Sequence, residues 1–224
     1  MHWCSITLIA TRHKESGQCT SNELYRIIEQ IAPDVIFEEV PPGKFDAVYK
    51  GLLRDSLETQ TIKRYVERQP IAHVPVDADL DEITDTFTKS DYNAMVNIFG
   101  RHSPEYRGLF NQRQLFADDK GFSYLNSEDW TLLSERMDVL EEEVIKNIDN
   151  GKLNQRYKDW LNVLDIRDNE MIRNIYKYVE NNRCEKGLFL VGVEHRRQIV
   201  NKIHEFEKNH HLRLDWNFNY FTSK

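Results

Sequence analysis

Apolar and polar positions along this chain switch between two periods, and their order predicts an α/β fold. Ser5 to Ala10 (SITLIA) is a short apolar run rich in β-branched residues. Such a run bounded by polar residues reads as a buried strand. The polar loop TRHKESGQCTSN follows, with Ser21 or Asn22 as the candidate N-cap of a helix. In that helix Leu24, Ile27, Ile28 and Ile31 recur at helical spacing, and Pro33 ends it. Asp34 to Val40 (DVIFEEV) is a second strand, stopped by Pro41-Pro42-Gly43. Helices are expected near Phe45 to Leu53 and from Ser56 to Arg68. Ile71 to Val76 (IAHVPV) is a third strand, with Pro75 near an end of the ladder. A β-α-β-α-β order favours parallel strands joined by crossovers.

From Asp79 to about Asn182 the pattern becomes polar, charged and mostly helical. Leu132, Met137, Leu140, Val144 and Ile148 form one apolar stripe, and Trp160 to Val179 carries one or two more. Between Gly100 and Asn126, loop signals and aromatic residues predominate. Gly187 to Val193 (GLFLVGV) is a fourth buried strand. A helix is expected from about Arg197 to Lys208, and RLDWNFNYF is a candidate edge strand. The predicted architecture is therefore a central, mainly parallel sheet flanked by helices. A large helical insertion precedes the last core strand. Residues 1–224 are read as a single domain and 79–182 as the insertion, a lid whose stretch Arg101 to Tyr124 supplies substrate contacts.

Charge and cysteine usage narrow the classes. Lys plus Arg number 30 against 37 Asp plus Glu, a formal net charge of −7 that lacks the basic face of a nucleic-acid binder. No apolar run approaches the roughly 20 residues that span a bilayer, so no membrane partner is expected. Cys4, Cys19 and Cys184 are odd in number and form no CxxC pair. Reduced thiols in a cytoplasmic setting are the simplest reading, and Cys19 has no neighbour that marks an activated thiolate.

In a parallel sheet, ligands bind beyond the carboxyl ends of the strands. Each candidate strand delivers a titratable side chain to that edge: His13 after the first, Glu38 and Glu39 after the second, Asp77 and Asp79 after the third, Glu194 and His195 after the fourth. One imidazole with a carboxylate can activate water. Two imidazoles with a carboxylate can instead hold a divalent metal ion with an open position. Strand alternation sends Glu38 and Glu39 to opposite faces and does not itself say which one faces the site. Arg167 is either a helix-surface partner of Asp165 or Asp168 or a clamp for an anion or oxyanion. Arg12 and Asp77 are candidate substrate-binding residues at the same mouth. Because His195 and Glu39 lie at strand ends, their removal is expected to cost little stability.

Four segments resemble the TraB/Tiki family and its ChaN-like and erythromycin-esterase-like relatives. They are ATRH ending at His13, PDVIFEEV with Glu39 in register, RDNEM beginning at Arg167, and LFLVGVEH ending at His195. Ala10 stands where the family's first Gly-x-x-His has glycine. The resemblance implies a hydrolase whose catalytic residues are His13, Glu39, Arg167 and His195. In its metal-dependent form, His13, Glu39 and His195 bind a divalent metal ion. The expected partner is a peptide or small-molecule substrate carrying a peptide or ester bond. The alternatives are a ligand-binding protein, for haem or another small molecule, and a signalling protein of the same fold.

Overall fold

A computed structural model of the protein describes residues 4–80 and 89–222. Residues 81–88, near the start of the expected insertion, lie outside the described residues. The strands β1 (Ser5–Thr11), β2 (Val35–Glu38), β3 (Ala72–Pro75), β4 (Lys186–Gly192) and β5 (Asp215–Asn217) form one sheet. Their spatial order is β3-β2-β4-β1-β5, with every pairing parallel. Pro75, which has no N–H for a ladder, sits at the end of β3 on the sheet edge.

The helices are α1 (Ser21–Ile31), α2 (Pro42–Tyr49), α3 (Leu57–Val66), α4 (Lys89–His102), α5 (Pro104–Lys120), α6 (Phe122–Leu125), α7 (Glu128–Ile148), α8 (Gly151–Asn181) and α9 (Val193–Asn209). On one face of the sheet, Ile9, Ile36, Leu188 and Leu190 pack with Leu24, Ile28, Leu57, Ile62 and Phe122. On the other, Leu8, Phe37, Phe189 and Val191 meet Met171, Ile172 and Ile175 of α8 and Ile199 and Ile203 of α9. A separate helical cluster joins Phe99, Tyr106, Met137, Leu140, Leu153 and Tyr157. The 31-residue α8 thus serves two cores. Its first turns pack in the helical cluster and its last turns on the sheet, so its middle passes the carboxyl edge, where Arg167 and Asp168 lie.

Several local expectations are corrected. The helix α5 occupies a stretch expected to be loop, because Ser103 caps it by accepting the Tyr106 N–H and Pro104 sits in its first turn. Pro42 starts α2 rather than only stopping β2, because a proline in a helix's first turn has no N–H to leave unpaired. Thr20, not Ser21 or Asn22, caps α1. The last long helix begins at Val193, immediately after β4, so Glu194 and His195 stand on its first turn. Cys4 and Cys184 are joined in a disulfide, which corrects the expectation of three reduced thiols: parallel pairing of β1 with β4 brings together two cysteines 180 residues apart. The cysteine count therefore no longer argues for a reducing compartment. Among the described residues, no helix is long and apolar enough to cross a membrane.

Candidate active site

The strand order explains the convergence at the carboxyl edge. Because β4 lies between β1 and β2, the segments leaving those three strands are neighbours, and they carry His195, His13 and Glu39. Glu39 is the centre. One carboxylate oxygen, Oε2, accepts the Gly192 N–H at 2.5 Å. The other, Oε1, accepts Arg167 Nη2 at 2.5 Å and faces His195 Nε2 at 3.4 Å and His13 Nε2 at 3.8 Å. The lack of a side chain at Gly192 leaves room for this approach. A Cβ there would stand 3.0 Å from Glu39 Oε2 and 3.3 Å from His13 Nε2. Glu38 faces away, accepting Tyr49 Oη at 2.5 Å and lying 2.7 Å from His73 Nδ1. Of the two adjacent carboxylates, Glu39 faces the site.

Each imidazole is held from behind by a second carboxylate. His195 Nδ1 is 2.6 Å from Asp168 Oδ1, and both side chains are buried. His13 Nδ1 is 3.4 Å from Glu58 Oε1, which also accepts the Thr11 hydroxyl at 2.5 Å. His13 differs from His195 in access: its side chain is 56% exposed, against 5%. Arg167 is clamped by Asp77, which receives Nε at 3.0 Å and Nη2 at 2.8 Å.

These contacts set the charges. His13 is raised to about 9, chiefly by its bond to Glu58 and then by the Glu39 charge. For His195 burial opposes protonation, but Glu39 and Asp168 outweigh it and raise the imidazole to about 9. Burial also works against ionised Glu39, yet His195, His13 and Arg167 hold its carboxyl well below the usual range. Burial raises Asp168 despite His195. Near neutrality the cluster is thus an ionised carboxylate among three cations. Cys19 is fully buried and its thiol is pushed up to about 11, as expected of an inert cysteine.

His13, Glu39, Arg167 and His195 are together in one cluster. The two candidate substrate residues are both engaged in ion pairs. Asp77 is buried as the bidentate partner of Arg167, so it positions that arginine. Arg12 donates to Asp118 at 2.8 Å and Gln114 at 2.5 Å, tying the loop after β1 to α5. Asp168, a candidate surface partner of Arg167 by sequence, belongs instead to His195. Glu58 carries no sequence signal beyond an acidic residue in a helix's first turn. Asn126 is a further residue that sequence reasoning does not find. Since β5 pairs only with Ser5 to Thr7, the outer backbone of Ala10 has no strand beside it, and the Asn126 amide both accepts the Ala10 N–H at 2.8 Å and donates to its carbonyl at 3.0 Å.

The donor types suit a divalent ion, since each imidazole keeps Nδ1 on a carboxylate and turns Nε2 toward Glu39. The arrangement, however, is an ion-paired cluster in which Arg167 occupies Glu39 Oε1. Among the described residues, the group of three ligand atoms mutually within 4.8 Å is instead Glu180, His210 and His211. Glu180 stands 13 residues beyond Arg167 on α8, about 20 Å along the helix.

Two larger spaces adjoin the cluster. A groove of about 440 Å³ runs past His13, lined by residues 13–15 and 54–57 with Gln60, none of them from the insertion. A cavity of about 550 Å³ lies among α7, α8 and α9, behind Asp168 and Glu194, on the Nδ1 side of His195. The insertion contributes Arg167 and Asp168 to the cluster but no wall of the groove. Comparison with protein-family models, curated proteins and solved structures returned no match for this chain.

Proposed function

We propose that the protein is a hydrolase of ester or peptide bonds acting at the His13–Glu39–Arg167–His195 cluster, in the manner that its likeness to the TraB/Tiki group implies. The observation that carries the reading is one buried carboxylate, Glu39, shared by two imidazoles that are each held by their own carboxylate. In this reading substrate enters along the groove beside His13, the exposed imidazole. Glu39 takes the proton of the attacking water. His13, protonated up to about pH 9, donates to the leaving oxygen or nitrogen, and the proton on Glu39 then returns to His13 across the 3.8 Å separation. The developing oxyanion faces Arg167, whose Nη1 has no hydrogen bond among the described residues, and the positive field of His195. Asp77 and Asp168 keep these two cations in place.

A metal-dependent form is the second reading, favoured by the carboxylate behind each imidazole. His13, Glu39 and His195 would hold the ion, which would supply a polarised water. A ligand-binding or signalling role without turnover is the remaining alternative. The test is hydrolysis of p-nitrophenyl esters and of an unstructured peptide by purified protein, with and without chelator, compared with His195→Asn and Glu39→Gln. Thermal unfolding of each variant is the control. Loss of turnover in folded variants supports the reading, and loss on chelation selects the metal form. Unchanged turnover in the folded variants removes the cluster as the site.

A further inference from the structure

The groove past His13 holds two exposed cations that no side chain answers with a hydrogen bond or ion pair among the described residues. Besides His13, four ionic side chains line it: Lys14, Glu15, Arg54 and Asp55. Both acids are already engaged. Glu15 Oε1 accepts the Ser21 N–H at 2.6 Å at the start of α1. Asp55 Oδ1 receives Lys63 Nζ at 2.6 Å. Lys14 and Arg54 are exposed, and neither has a side-chain hydrogen bond or ion pair among the described residues. The floor adds to this, because Ser56 and Leu57 are the N-cap and first residue of α3, the positive end of that helix. Glu58 and Glu39, the acids nearest His13, are turned toward its ring and largely buried, so they do not line the groove.

A chain with net charge −7 repels anions at long range. Two unanswered cations beside the one exposed imidazole of the cluster therefore select locally. We infer that the groove receives a substrate carrying a carboxylate on the acyl side of its scissile bond, so that the preferred substrates are acidic esters or acidic peptides. This deepens the hydrolase reading and rests on it. The carboxylate meets Lys14 and Arg54, which line the groove, while the leaving atom of the scissile bond reaches His13. Neither cation takes part in bond making. They act on the binding of substrate and transition state alike, so their effect falls on kcat/KM through KM.

The experiment compares two p-nitrophenyl esters with four-carbon acyl groups: the hydrogen succinate, which is anionic, and the butyrate, which is neutral. Monomethyl succinate serves as a non-chromogenic ligand in a thermal-shift assay. Exposed charge pairs are weak and screened by salt, so the expected preference for succinate is about tenfold in kcat/KM at low salt. It should approach unity at high salt and in the Lys14→Ala/Arg54→Ala double variant. Both positions are exposed, so that variant should melt with the wild type. Equal turnover of the two esters by wild-type protein overturns the inference and leaves the hydrolase reading standing. Turnover of neither ester, with a saturable rise in melting temperature from monomethyl succinate that the double variant lacks, supports the carboxylate site in the groove and removes esters of this kind from the hydrolase reading. Neither turnover nor a saturable shift overturns the inference.

Discussion

Replacing Glu39 with Gln removes one charge from the centre of the cluster while keeping its size. The carboxylate accepts Gly192 N–H and Arg167 and faces two protonated imidazoles. A glutamine must turn its NH2 toward one of two donors, and three cations lose their shared counter-ion. Removing one partner of a buried ion pair costs roughly 3–5 kcal/mol. In a chain of this size each kcal/mol moves the melting temperature by roughly 2–4 °C, so the variant should melt about 6–20 °C lower. This reverses the expectation, drawn from strand-end position alone, that the residue adds little to stability.

The pH dependence gives a sharper test. The carboxyl of Glu39 lies below its ordinary value of 4.5, so its contribution is complete above about pH 4.5 and is lost as pH falls through the folded-state value. His195 rises from 6.5 to about 9. Its contribution, on the order of 3 kcal/mol, is complete below pH 6.5 and is lost as pH rises through about 9. His13 moves the same way but is half exposed, and solvent screening discounts it. These are aspects of one coupled cluster and are not additive. The wild type should show greatest stability between about pH 4.5 and 6.5, falling on both sides, and Glu39→Gln should flatten both flanks. Calorimetric melting from pH 3 to 10 measures this. A variant within about 1 kcal/mol of wild type at pH 6, or with the same two flanks, refutes the reasoning.

Gly192→Ala should place a Cβ at 3.0 Å from Glu39 Oε2 and 3.3 Å from His13 Nε2, displacing both. Any hydrolytic rate should fall at least about tenfold, and the His13 and His195 imidazole shifts followed by NMR titration should move. Asn126→Ala leaves the Ala10 N–H and carbonyl unpaired in the core and should cost roughly 2–4 kcal/mol in urea unfolding. Arg167→Lys cannot reproduce the two-point contact with Asp77 while reaching Glu39. Turnover should fall about a hundredfold, read as kcat at matched folded fraction.

The parallel sheet and the cluster residues His13, Glu39 and His195 are legible in the sequence because they depend on strand ends, whereas Arg167, in the middle of α8, is reached only through the family resemblance. Apolar runs such as SITLIA and GLFLVGV announce buried strands, and the residues just beyond them must lie at one edge of a parallel sheet. Other features depend on context that the local pattern does not hold. Pro42 and Pro104 punctuate loops and begin helices with equal ease, and only the cap at Ser103 distinguishes the second case. The Cys4–Cys184 pair depends on which strands become neighbours, since β4 inserts between β1 and β2 from the far side of a long insertion. Spacing along the chain carries no trace of that placement.

The partners of the cluster are hidden for a different reason, which α8 makes plain. Arg167 and Asp168 are consecutive, and consecutive helical residues project about 100° apart. Paired with each other on a surface, they would look alike in sequence. With the middle of α8 held against the carboxyl edge by the two cores at its ends, the two directions become two destinations: Glu39 and Asp77 for the arginine, His195 for the aspartate. The role of Asp168 is therefore a property of helix rotation, and rotation is set by Met171, Ile172 and Ile175 packing on the sheet a turn or two later. A change in those apolar residues that rotates α8 would separate His195 from Asp168 and Arg167 from Glu39 together.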